Sequence, residues 1–278
     1  MEGIQSMNYK MIAIDMDGTL LNSQKRVTER TKEVLITAQE SGKKIIITTG
    51  RIFTSARLYS QYIGLKTPII ACNGAIIKGV EGKRIFKIHP VEEKIIVNAI
   101  EICNEIGVPY HFYSEDKIYA TKKLDLYEFY HQEESKIDSS YSIPFYDIND
   151  FSSISKIKEE ILKFNVWDRD VDKILLTLNK IKNINNAFVT SSSPYNIEIT
   201  NQAATKGNAL KDLGEFYGIK KEEIIAIGDS YNDISMIEYA GLGIAMDNSQ
   251  VDIKEIADYI TLSNDQEGIV DVFERFVL

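Results

Sequence analysis

Cysteine and histidine are both scarce in this chain. Two of its 278 residues are Cys and three are His. Cys72 and Cys103 stand far apart in apolar surroundings, supply neither a disulfide framework nor a C-x-x-C pair, and read as reduced core residues. His89, His111 and His131 lack the H-x-H or H-E-x-x-H spacing that a zinc site needs, so no such site is expected. Positive charge is short as well. With 32 Lys and Arg against 41 Asp and Glu, the net charge is −9, which argues against non-specific binding to nucleic acid or to an anionic membrane surface. An anionic substrate would need a local cationic site. No apolar run approaches the ~18 residues of a membrane-spanning helix. The polar stretch 1–8 has no signal-peptide core, so a cytoplasmic location is expected, with folded structure beginning near Tyr9. Internal repeats and low-complexity segments are absent, and nothing announces an oligomeric state.

What is present is an ordinary soluble composition, 44% hydrophobic and 26% charged, in a length suited to one large domain or two modest ones. Met11-Ile12-Ala13-Ile14 is an apolar run of the kind that forms a strand buried on both faces. It stops abruptly at Asp15-Met16-Asp17-Gly18-Thr19-Leu20-Leu21. Residues i and i+2 of an extended chain project to one side. Asp15 and Asp17 are therefore expected to point together beyond the strand's carboxyl end, where open parallel sheets bind ligands. Carboxylates so close call for a shared proton or a cation between them. For a bare D-x-D, a solvated acidic turn is the plainer reading.

Along the chain, Thr28 can N-cap a helix with Val34, Leu35 and Ala38 on one face and Gly42 at its end. Residues 44–49 read as a second buried strand ending in Gly50-Arg51, 52–63 as a helix stopped by Gly64, and 68–72 as a third strand leading into Asn73-Gly74. Strands alternating with helices on short connections make a parallel α/β sheet. The rhythm then changes. Expected next are a hairpin from 75–77 and 84–88, a helix from 91 to 107, and β-like runs at 110–113 and 117–120. A helix around 154–164 and strands at 173–178, 187–190 and 195–199 follow, with the weakest pattern between 124 and 166. Hairpins interleaved with helices suggest an α+β module inserted into the first one. The parallel rhythm resumes at Thr205, with helices at 207–217, about 253–257 and from 268, and strands at 224–227, 242–246 and 259–261.

Gly228-Asp229-Ser230-Tyr231-Asn232-Asp233 follows another apolar strand. Asp, Ser and Asn all cap helices well, so a helix start is the plainer reading. Two acidic strand tips in one sheet would instead suit Mg²⁺, which prefers carboxylate oxygen and water. Thr49 ends the second strand, with Thr48 beside it on the opposite face and the Gly50 N–H close by. Threonine suits strands in any case. Lys206 lies in the first turn of a helix, where the dipole favours an anion, so a lysine there calls for a negative partner.

D-x-D-G-T-L-L, Thr49, Lys206 and G-D-x-x-N-D, in that order, resemble the four motifs of the haloacid-dehalogenase-like (HAD) phosphohydrolases. Thr205-Lys206-Gly207-Asn208-Ala209-Leu210, the stretch 236–246 and Ala257-Asp258-Tyr259-Ile260-Thr261 resemble the Cof-type, subfamily IIB branch. The likeness spans nearly the whole chain. It implies an α/β fold with a Rossmann-like parallel-sheet core, residues 1–83 and 199–278, and an inserted α+β type-2 cap, residues 84–198. The roughly 130 residues between Gly74 and Lys206 are domain-sized.

The resemblance further implies that Asp15 is the nucleophile and Asp17 the general acid/base. Mg²⁺ would be held by Asp15, the Asp17 backbone carbonyl, Asp229 and Ser230. Phosphate contacts would come from Met16, Thr49, Gly50, Lys206 and Asn232, with Asp233 as a supporting acid. Arg51 and Asn73 are candidates for the leaving group, and pattern alone does not rank Tyr113, Trp167 or Lys173 among further contacts. The implied reaction is Mg-dependent hydrolysis of a small-molecule phosphate monoester through an aspartyl-phosphate. Sugar phosphates come first, with flavin-precursor or pyridoxal phosphates also within range. A phosphosugar mutase or phosphotransferase is the alternative, and a non-catalytic ligand sensor would need a damaged motif, of which there is none. Neither nucleic acid nor membrane is an expected partner.

Overall fold

β1 (Met11–Ile14) is an interior strand of a five-stranded parallel sheet. On one side lies β2 (Lys44–Ile47); on the other lie β12 (Ile224–Gly228), β13 (Leu242–Ala245) and β14 (Tyr259–Ile260) in turn. The description comes from a computed structural model and covers residues 8–121, 123–148 and 157–278. Alternation along β1 sends Ile12 and Ile14 to one core and Met11 and Ala13 to another, as a strand buried on both faces must. The first core is closed by α1 (Glu29–Glu40), α2 (Phe53–Ile63) and α9 (Gly268–Phe276), through residues such as Leu35, Phe53 and Phe273. The second is closed by α6 (Lys206–Tyr217) and α7 (Ile234–Tyr239), with Leu210, Leu213 and Met236. α8 (Val251–Ile256) packs Ile253 against Ala245 and Ile237. With no solvent on either side, truncating Ile12 or Ile14 to alanine would cost about 2–5 kcal/mol.

The chain runs from β1 outward to β2 and later returns to β12 on the other side, so β1 is the point where strand order reverses. That is where ligands bind in such sheets. The third expected strand, β3 (Ile69–Ala71), runs parallel beyond β2, joined by the Thr48–Ile70 bridge and the Thr49 N–H to the Ile70 carbonyl at 2.9 Å. On its other side it pairs antiparallel with β4 (Ile76–Lys78), which pairs with β5 (Ile85–Ile88).

A second sheet, in the order β10-β11-β9-β6-β7-β8, is built from β6 (Tyr110–Tyr113), β7 (Ile118–Ala120), β8 (Phe145–Asp147), β9 (Lys163–Trp167), β10 (Ala187–Thr190) and β11 (Asn196–Asn201). It is antiparallel except between β7 and β8. One face is apolar: Phe112, Phe164, Val166, Ile197 and Ile199 pack beneath α3 (Glu93–Ile106) and α5 (Val171–Ile181). α4 (Lys123–Glu134) lies on the other side, where Tyr130 joins the first core. A division keeping each sheet whole crosses between Ile88 and Glu93 and again after Asn201, whereas 84–198 would cut the β4–β5 pair and β11.

Two local expectations fail. Residues 173–178, read as a strand, lie within α5. Asp170 caps it by accepting from the Asp172 and Lys173 N–H groups, and Ile174, Thr177 and Ile181 are buried at helical spacing. Leu175 and Leu176, which made the run look like a strand, are half-exposed. The expected helix at 154–164 is not found in its described part: 157–162 is irregular and Lys163 opens β9, while 151–156 lie outside the described residues. Polar and apolar residues alternate from Lys163 to Val166, which is a strand period.

Candidate active site

β1 and β12 are in register, Ile14 beside Ile227, so the residues after them emerge at one level. Asp15 donates its N–H to the Ile227 carbonyl at 3.0 Å, and Asp229 leaves β12 next to it. Asp15 and Asp17 both line a cavity of about 900 Å³, while the Met16 side chain between them is buried in the core. A Met16 contact to a ligand would thus come from its backbone N–H. Gly18 turns the chain at φ +84°, and a Cβ there would collide with the Asp229 carboxylate. Only glycine suits both demands.

The carboxylates of the two motif aspartates take separate side-chain partners. Asp15 Oδ1 accepts from Lys206 Nζ at 2.5 Å, and the same ammonium reaches Asp233 Oδ1 at 2.5 Å. Lys206 is fully buried; burial works against its charge, and the two carboxylates overcome it, holding it well above the usual lysine range. It gets there because Thr205 caps α6, accepting from the Asn208 N–H, and because Gly207 lies against the Ser235 carbonyl, where a Cβ would collide. That close approach seats α6 on α7 and puts Lys206 beside Asp233.

Asp17 is held separately. Arg51 grips it with two bonds, Nε to Oδ2 at 2.7 Å and Nη2 to Oδ1 at 2.6 Å, and Lys25 adds a third at 2.7 Å. Burial tends to raise this carboxyl, but Arg51 and Lys25 win and keep it well below the usual carboxylate range. Arg51 Nη2 also donates to Glu133 on α4 at 2.7 Å. Arg51, a candidate for the leaving group, lines the cavity; it is buried and largely occupied by carboxylates, with Nη1 unpaired among the described residues.

The 228–233 turn is ordered by Asp233, whose Oδ2 accepts from the Asp229 and Ser230 N–H groups at 2.9 Å each. Asp229 receives the Thr19 hydroxyl at 2.7 Å and the Ser230 hydroxyl at 3.0 Å. Burial, then the nearby Asp233, pushes its carboxyl up to about 7, and Asp15 is raised by the same two causes. Carboxylate oxygens of Asp15, Asp229 and Asp233 lie within 4.8 Å of one another. This crowded, all-oxygen group is a donor set that fits Mg²⁺ and suits neither zinc nor copper.

Thr49, Gly50 and Asn232 also line the cavity. Thr49 Oγ1 accepts from the Arg51 N–H at 3.1 Å, while Thr48 is buried away from it. Asn73 stands behind the wall: its Oδ1 accepts from Asn232 at 3.1 Å and its Nδ2 donates to Glu198 at 2.6 Å. It braces Asn232 and is not among the residues that line the cavity.

The site also contains residues that the motifs do not single out. Thr19 was in plain view in the D-G-T run. Lys25 carried no signal. From the second sheet, Lys163 reaches the Gly50 carbonyl at 2.8 Å and pairs with Glu198 at 2.9 Å. Alternation in 163–167 and 196–200 would have set Lys163, Asn165 and Glu198 on one face, opposite Phe164, Val166, Ile197 and Ile199. Tyr113 and Trp167 line the cavity too, whereas Lys173 belongs to α5 on the far face.

Next to Glu133, Glu134 is almost wholly buried, and burial pushes its carboxyl up to about 7. Its folded pKa exceeds the unfolded value near 4.5, so the native state binds more protons between those limits and stability falls as pH rises from about 4.5 to 7. Glu134→Gln is expected to flatten that slope and to raise stability at pH 8 by up to about 3 kcal/mol. Urea melts across this range would check it; an unchanged slope would remove Glu134 as its source.

The sequence profile of the haloacid dehalogenase-like hydrolases matches residues 12–273. The chain is 31% identical to phosphatase YwpJ of Bacillus subtilis over 96% of this chain and 100% of that one. It is 30% identical to the 5-amino-6-(5-phospho-D-ribitylamino)uracil phosphatase YcsE of Bacillus subtilis, over 99% and 98%. Among solved structures, the subclass IIB sugar phosphatase BT4131 superposes with a TM-score of 0.79 at 25% identity, covering 96% of this chain and 98% of that one. Profile, relatives and strand-tip geometry agree, and this chain belongs to the haloacid dehalogenase-like hydrolases.

Proposed function

We propose that this protein is a Mg²⁺-dependent phosphatase that hydrolyses small-molecule phosphate monoesters through a phosphorylated Asp15. One observation carries the reading: a buried lysine and two further carboxylates, Asp229 and Asp233, cluster around Asp15 at the floor of a cavity of about 900 Å³. Asp15 attacks phosphorus in line, and the bond from phosphorus to the leaving oxygen breaks as the Asp15 ester forms. Asp17 gives the departing alkoxide a proton, then takes one from the water that opens the ester. Arg51 and Lys25 favour the ionised form of Asp17, the form needed for that second step; the first step needs Asp17 protonated, so this pairing has to loosen when the ester binds. Lys206, Thr49, the backbone N–H groups of Met16 and Gly50, and Asn232 stabilise the charge on the phosphoryl oxygens.

Asp15, the Asp17 carbonyl and Asp229 would hold Mg²⁺, with Ser230 orienting Asp229 and Asp233 completing the acidic shell. Bound there, the ion would neutralise the carboxylates and let an anionic phosphate approach a carboxylate nucleophile. The ribityl and sugar esters named for YcsE and BT4131 support a polyhydroxylated leaving group. The test is release of inorganic phosphate from phenyl phosphate and from a panel of sugar phosphates. Chelation with EDTA is expected to lower the rate by at least about 10²-fold and Mg²⁺ to restore it. Activity untouched by chelation would overturn the metal requirement. Phosphoryl transfer between sugars without release of phosphate would favour the mutase reading.

A further inference from the structure

The face of the second sheet that looks into the cavity carries a row of polar residues set directly across neighbouring strands. His111 on β6 pairs with Asn165 on β9, and Asn165 pairs with Glu198 on β11. The outer members of the row are engaged. His111 Nε2 lies 3.2 Å from the Tyr113 hydroxyl, and Glu198 holds Asn73, Lys163 and Ser192. The middle member is not. Asn165 is 4% exposed and lines the cavity, and its Nδ2 has no hydrogen-bond partner among the described residues. Buried donors are rarely left unmatched.

β9 also gives that donor a position along the cavity. At its start Lys163 bonds the Gly50 carbonyl, beside the phosphate-binding loop, and at its end Trp167 is 40% exposed at the mouth. Asn165 lies two residues from Lys163 on the same face, roughly 7 Å further out. A phosphate held at Gly50 would put a leaving group of several carbons beside it. The surroundings are locally neutral, since Glu198 balances Lys163 and burial keeps His111 uncharged.

We infer that Asn165 is a specificity-determining residue, donating a hydrogen bond from its amide to a hydroxyl or carbonyl oxygen on an uncharged leaving group. The inference rests on the phosphatase reading and deepens it: Asn165 selects among esters by what lies beyond the phosphate and takes no part in the chemical step. Glu198 positions Lys163 and Asn73 and leaves the amide free to face the ligand.

The test compares kcat/KM for a hexose monophosphate with kcat/KM for phenyl phosphate, whose leaving group offers no further acceptor. In Asn165→Leu, similar in shape but without the donor, the hexose-to-phenyl ratio is expected to fall about tenfold. Asn165→Ala gives the same reading if leucine disturbs folding. A ratio within about twofold of wild type in both variants overturns the inference, because a merely structural role would lower both substrates together. Wild-type protein that hydrolyses phenyl phosphate but no hydroxylated ester overturns it too, leaving the phosphatase reading intact. Failure on every ester would sink that reading as well.

Discussion

Asp15→Asn is expected to lower phosphate release from phenyl phosphate by at least about 10³-fold, more than the loss of a single charge-stabilising donor normally costs. The amide has nearly the shape of the carboxylate but cannot form the ester. Structural damage should be small, since Lys206 keeps its 2.5 Å bond to Asp233 when Asp15 is neutral. Asp15 also lies in a buried, acid-crowded position that disfavours its charge. A variant that melts near the wild-type temperature yet retains more than a tenth of the activity would disprove Asp15 as nucleophile. Trapping phosphate on the wild-type protein, and not on the variant, in an acid-quenched reaction analysed by mass would be the direct counterpart.

Lys206→Met should damage both stability and rate. The ammonium is fully buried and has two carboxylate partners at 2.5 Å, so its removal leaves Asp15 and Asp233 facing each other without a counter-charge. Breaking a buried pair from one side costs about 3–5 kcal/mol, largely through the charge left behind. The rate should fall by about 10²–10³-fold from the lost stabilisation of phosphoryl oxygens. Urea melts with and without Mg²⁺ separate the two effects, because a cation among the acids should recover part of the stability and little of the rate. A denaturation midpoint equal to wild type, with activity within tenfold, would contradict the role given to this lysine.

The floor of the site was legible because its information is local. An apolar strand, an acid at its tip and a glycine after it are adjacent in the chain, and the same grammar recurs at Gly228-Asp229. Strand polarity in a parallel sheet then makes the two tips converge. Lys206 could be read for the same reason, since a helix start followed by Gly207 constrains where its side chain goes. The insert was harder. In 173–178 a run of leucine and isoleucine satisfied both a strand and a helix, and Asp170 capping the first turn decided for the helix. At 163–167 the alternation was present but its meaning was hidden, because a polar strand face reads as solvent until something is found to cover it.

By itself the sequence determined which residues stand at the tips of β1 and β12 and which helix begins with a lysine, since strand and helix periods and capping act over a few residues. Only the tertiary structure decided how their charges are shared. Lys206 serves Asp15 and Asp233, while Arg51 and Lys25 serve Asp17, because pairing depends on distances across elements far apart in the chain. It also decided that the polar face of β6, β9 and β11 looks into the cavity, a matter of which sheet face the helices α3 and α5 cover.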